Sequence, residues 1–83
     1  MNGVRDMPQV HVTAFWDAEA CVWVAESEDV PGLVTEAETM DILVKKLEVL
    51  IPELLDENAY PDGNDVPFEL NAKLAGTAHR TAA

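Results

Sequence analysis

Eighty-three residues allow one domain with a thin core and leave little room for an elaborate catalytic cleft. Sixteen acidic against five basic side chains give a formal charge of −11, and from Asp6 to Val44 there is neither Lys nor Arg. Phosphate backbones are bound through clustered cations that release counterions, so this half of the chain is unsuited to direct nucleic-acid binding and would attract a basic protein instead.

Met1 to Met7 reads as a loose lead-in without the apolar run of a signal peptide. Pro8 precedes QVHVTAF, residues 9–15, whose alternation puts Val10, Val12 and Ala14 on one face and His11, Thr13 and Phe15 on the other. Trp16 closes this strand, DAEA (17–20) forms a hairpin loop, and CVWVAE (21–26) returns as a β-branched and aromatic strand. Pairing Val22 and Val24 with Trp16 and Ala14 places the valines on the core side and leaves Phe15, Trp23 and Ala25 on the opposite face. A slip of one residue would exchange the faces of the second strand.

In SEDVPG the ring of Pro31 fixes its own φ and Gly32 accepts a positive one, which suits a tight turn before a short third strand, LVTE. Thr35 with Glu38 and Thr39 alone are competing helix caps; Thr39 stands directly before the apolar periodicity and is preferred. The helix MDILVKKLEVLIPELLDEN carries a stripe of Leu43, Leu47, Leu50, Ile51 and Leu54. Pro52 interrupts it, and predicts either a bend between Glu48 and Leu54 or a main helix ending near Ile51 with a second short one after it.

NAYPDGND (58–65) is loop chemistry, with a turn at Pro61-Asp62-Gly63. VPFELNAKL (66–74) alternates again, with Val66, Phe68, Leu70, Ala72 and Leu74 inward, and Pro67 suggests an edge position or a bulge. The ordered core therefore spans about 9–74 within a single domain, 1–74, and residues 75–83 form a disordered tail. The expected fold class is α+β, β-β-β-α-β, an antiparallel sheet with one helix packed on one face. Its small size makes a homodimer a natural further source of stability.

The hairpin ending in VWVAES, then DVPGLVTEAET and an amphipathic helix, resembles the HicB-type antitoxin domain. Asp29, Val30, Pro31, Gly32, Leu33, Thr35 and Thr39 carry the likeness, which runs from about Val10 through Leu74. The resemblance implies a partial RNase H-like fold and a cytoplasmic protein that neutralises a small basic HicA-type RNase toxin. Operator binding through the DNA-binding domain common in that family is not expected of this pattern; Ala37 stands where the family often has Gly, and PELLDEN resembles a short, uncharacterised HicB-like subgroup.

A metal-dependent nuclease remnant is the enzymatic alternative, since Asp17, Glu26, Glu28 and Asp29 are carboxylates of the type that hold paired metal ions. They fall mainly in loops without metal-ligand spacing, and His11 and His79 have no ligating neighbour in sequence. No catalytic, cofactor-binding or metal-ligating residues are therefore assigned. The single Cys21 cannot form an internal disulfide and fits a reducing compartment, and no segment approaches the roughly 18 apolar residues of a membrane span. The expected function is protein binding, through Phe15 and Trp23 side by side on the sheet face away from the helix, with a self-associating regulatory domain that has no toxin partner as the alternative. Glu26, Glu28, Asp29, Glu36 and Glu38 would form an acidic rim around them.

Overall fold

A computed structural model describes residues 9–57 and 65–81. Five elements follow one another: β1 (Val10–Asp17), β2 (Val22–Glu26), β3 (Val34–Ala37), α1 (Met40–Glu57) and β4 (Phe68–Lys73). The expected order and the α+β class are those observed. The expected loop and turn at 58–64 and the lead-in at 1–8 lie outside the described residues, and residues 74–81 are exposed and carry no regular structure.

The sheet has the order β3-β2-β1-β4, with β1–β2 and β2–β3 antiparallel but β1–β4 parallel, so it is mixed and not antiparallel throughout. The helix is the reason. After β3 the chain returns along α1 to the end of the sheet where β1 and β3 begin, so the following strand must share their direction. It takes the free edge of β1.

The hairpin register also differs from expectation by one residue. Ala14 lies opposite Ala25 and Trp16 opposite Trp23, which turns Val22 and Val24 away from the helix. The connecting turn explains the slip. Cys21 is a turn residue with φ of 58° and not the first of β2, and its N–H donates to the carbonyl of Asp17 at 2.7 Å. The Asp17 carboxylate accepts the N–H groups of Glu19 and Ala20 at 3.1 and 3.2 Å, tying up the loop as an Asx turn. Two small residues, Ala14 and Ala25, both fully buried, then face each other on the helix side of the sheet.

The core joins Val10, Val12 and Ala14 of β1, Ala25 of β2 and Ala37 of β3 to Leu43, Leu47, Ile51 and Leu55 of α1. The helical positions are spaced four apart, the period of one helix face. Leu50 and Leu54 pack at its margin. Thr39 caps α1 as preferred: its Oγ1 accepts the N–H of Ile42 at 3.2 Å, satisfying one of the free donors of the first turn. At Pro52 the helix neither stops nor divides; a single 18-residue element runs through it.

Val30 and Leu33 complete the core from the loop between β2 and β3. Leu33 N–H donates to the Val30 carbonyl at 3.1 Å, with Pro31 and Gly32 (φ 85°) at the two central positions, a type II turn. The Pro-Gly pair thus reverses the chain so that the apolar residue on either side of it points inward. On β4 the inward pattern holds only in part. Val66, Phe68 and Leu70 are half-buried, whereas Ala72 is exposed and Leu74 is 67% exposed, contrary to expectation. α1 packs over β2 and β3, which leaves the end of β4 without cover.

Candidate functional site

Alternation along the strands divides the sheet into a helix-covered face and an open one. The open face carries His11, Thr13 and Phe15 from β1, Val22, Val24 and Glu26 from β2, Val34 and Glu36 from β3, and Glu69, Asn71 and Lys73 from β4. Phe15 is 41% exposed, lies opposite Val24, and has Glu36 two strands away in the same row. Val34, 70% exposed, extends the apolar strip towards the β3 edge.

Of the two aromatics expected together on this face, only Phe15 is there. The one-residue slip places Trp23 on the helix side, half-buried against the core. Its ring meets Trp16 edge-on at a centroid distance of 5.3 Å and an interplanar angle of 63°, a favourable aromatic geometry. Trp23 therefore belongs to the packing.

At one end of the open face the sheet and the β2–β3 loop enclose a cleft of about 560 Å³. His11, Thr13, Glu26, Glu28, Asp29 and Val34 line it, with Ser27, Gly32 and Leu33. Three of the expected rim carboxylates, Glu26, Glu28 and Asp29, thus converge here. Glu36 lies farther along β3, and Glu38 is exposed just before α1, at the opposite end of β3 from the cleft. Asp17 is at the far end of β1 from His11, about 20 Å away at the usual rise per residue. Among the described residues no group of three His, Cys, Asp or Glu side chains is placed to hold a metal ion.

Beyond Glu26, side chains continue the hydrogen bonding that the β1–β2 ladder leaves off. Ser27 Oγ donates to the His11 carbonyl at 2.6 Å, Asp29 Oδ2 accepts the His11 N–H at 2.8 Å, and Asp29 N–H donates to Ser27 Oγ at 3.0 Å. The His11 ring lies between two carboxylates, with Nδ1 3.4 Å from Asp29 and Nε2 3.4 Å from Glu69. Sequence spacing gave no sign of these contacts, because Asp29 is 18 positions away and Glu69 arrives on the parallel strand.

Asp29 consequently has a structural task in addition to any at the surface. Asp29→Ala is expected to lower stability by about 1 kcal/mol, the usual net worth of such a bond. The change should be read in urea melts, with the amide of His11 losing protection in hydrogen exchange. Unchanged protection at His11 would show that the loop does not depend on this carboxylate.

Residues 9–80 match the model of a family described as Domain of unknown function (DUF1902). A solved structure, that of hypothetical protein TTHA1013 from the extremely thermophilic bacterium Thermus thermophilus, is similar to this chain at 46% sequence identity. The similarity covers 88% of this chain and 100% of that one, with a TM-score of 0.66. No curated protein matches the chain. No described helix is long and apolar enough to cross a membrane.

Proposed function

Because the chain belongs to the DUF1902 family, whose description names no activity, its surface has to supply the reading, and we propose that it is a non-enzymatic module that binds a basic protein on its open sheet face. The observation that carries this reading is the apolar strip of Phe15, Val24 and Val34, which ends in a carboxylate-lined cleft. No Lys or Arg stands on β1, β2 or β3 to neutralise it. Exposed aromatic and aliphatic groups supply affinity once dehydrated, and the surrounding charge sets approach rate and partner choice.

The resemblance to HicB-type antitoxins, with the partial RNase H-like fold it implies, makes the proposed partner concrete. It is a small basic RNase of the HicA type, held in the cytoplasm and covered on its RNA-binding surface. The β2–β3 turn supports this reading, since four of the residues that carry the resemblance build the region: Val30 and Leu33 complete the core, and Asp29, Gly32 and Leu33 line the cleft.

The test is co-expression of the chain with a HicA-type toxin, followed by titration of the purified pair. Growth should be restored and a complex should form whose affinity falls as salt is added. Phe15→Ala should weaken binding on the order of tenfold or more, as for a central aromatic anchor. Glu26→Gln should mainly slow association. Absence of both rescue and binding would remove the antitoxin reading, and binding unaffected by Phe15→Ala would move the interface off this face.

A further inference from the structure

The two edges of the sheet are not alike. β3 is four residues long, and Lys46 reaches from α1 to donate to the Glu36 carbonyl at 2.7 Å, a lysine guard on a short edge. β4 is six residues long, and among the described residues nothing pairs with its outer side.

Which of its backbone groups point outward follows from the parallel ladder. Val10 lies opposite Phe68, and its N–H donates to the Pro67 carbonyl at 3.0 Å. In a parallel pair the residue opposite such a donor turns its own N–H and C=O away. Phe68, Leu70 and Ala72 therefore present their backbone groups to the free edge.

We propose that β4 pairs with β4 of a second copy of this chain, antiparallel about a two-fold axis at Asn71, joining two four-stranded sheets into one of eight. Only even-numbered residues offer outward groups, so the register must match even positions with even. Among such registers, the one centred on Asn71 sets Glu69 directly opposite Lys73 of the other copy, twice by symmetry. A register centred on Glu69 or on Lys73 sets like charges face to face. On the helix side of the sheet the same register places Leu70 opposite Ala72 and Phe68 opposite Leu74. Leu74, 67% exposed, and the exposed Ala72 thereby gain the cover that α1 does not give them. The contact is isologous, as a closed dimer requires.

The backbone edge of β4 is distinct from the strip of Phe15, Val24 and Val34 proposed to receive a basic protein; Glu69 and Lys73 also stand on that face, so Ala72→Pro, on the helix side, tests the edge separately. Sedimentation equilibrium of the full chain should show a dimer in the micromolar range. Lys73→Glu and Glu69→Lys, each replacing two attractive cross-strand pairs by two repulsive ones, should each raise the dimer dissociation constant by on the order of tenfold or more. The charge-exchanged double variant, E69K/K73E, should restore it. Ala72→Pro removes an N–H that this chain's own ladder does not use, so it should give a folded monomer by circular dichroism. In the wild type, the Leu70 and Ala72 amides should exchange more slowly as concentration rises. A monomer at about 100 μM protein, a dimer indifferent to Ala72→Pro, or single charge reversals that the double variant does not rescue would each overturn the proposal.

Discussion

Replacing Leu47 by alanine should cost about 3 kcal/mol, within the range of roughly 2–5 typical of a fully buried leucine. Leu47 is 0% exposed and stands between Leu43 and Ile51 in the buried row of α1, in the same core as the small Ala14, Ala25 and Ala37 of the strands. Strands with such small side chains cannot close over the lost volume, so most of the cavity should persist. A domain of this size has little stability to spare, and the loss should take a large part of it. Urea denaturation should show a lower midpoint at an unchanged slope. Val49→Ala is the control, because Val49 is 58% exposed and its truncation should change stability by less than about 0.5 kcal/mol. Equal losses from both would mean that the helix is rotated from the position described.

Pro52→Ala should do the opposite and stabilise the protein by about 2 kcal/mol. Pro52 lies within the continuous helix and is exposed, so its ring fills no part of the core. The helix there lacks one donor, and the Glu48 carbonyl lacks the partner that an alanine N–H would supply. The gain is the roughly 3 kcal/mol by which proline disfavours a helix interior, less up to about 1 kcal/mol for the more flexible unfolded chain. A rise in melting temperature of roughly 10 °C should follow for a domain this small. A fall would show that the proline is needed to seat Ile51 and Leu55.

The elements were legible because their signals are local. Thr39 before a run of apolar residues four apart marks a helix and its cap whatever surrounds them, and Pro31-Gly32 marks a turn by its backbone preferences. What misled was non-local. The hairpin register depends on whether Cys21 belongs to the strand or the turn, and a positive φ at a non-glycine residue has no reliable signature in one sequence. The two small residues that face each other, Ala14 and Ala25, are what the helix selects, whereas valine looked the better core candidate. One position of slip moved Trp23 into the packing and brought Val24 and Val22 to the surface.

The candidate site was legible in its charges and less so in its shape. Glu26, Glu28 and Asp29 are consecutive enough to be read together, and the structure gathers them at one cleft. The opposing wall, His11 and Thr13, comes from a strand whose polar face looked like ordinary solvent exposure. Glu69 could be placed beside His11 only once β4 was known to run parallel to β1, which alternation alone does not specify.

That parallel pairing also governs the order of assembly. Val10 and its partner Phe68 are 58 positions apart, whereas Asp17 and Val22 are five apart, so the hairpin can zip up long before β1 meets its other neighbour. Closing so long a segment is slow compared with making a tight turn. A first strand still waiting for its parallel neighbour would have one side unpaired, and that side is where a misassembling nascent molecule would catch a stranger.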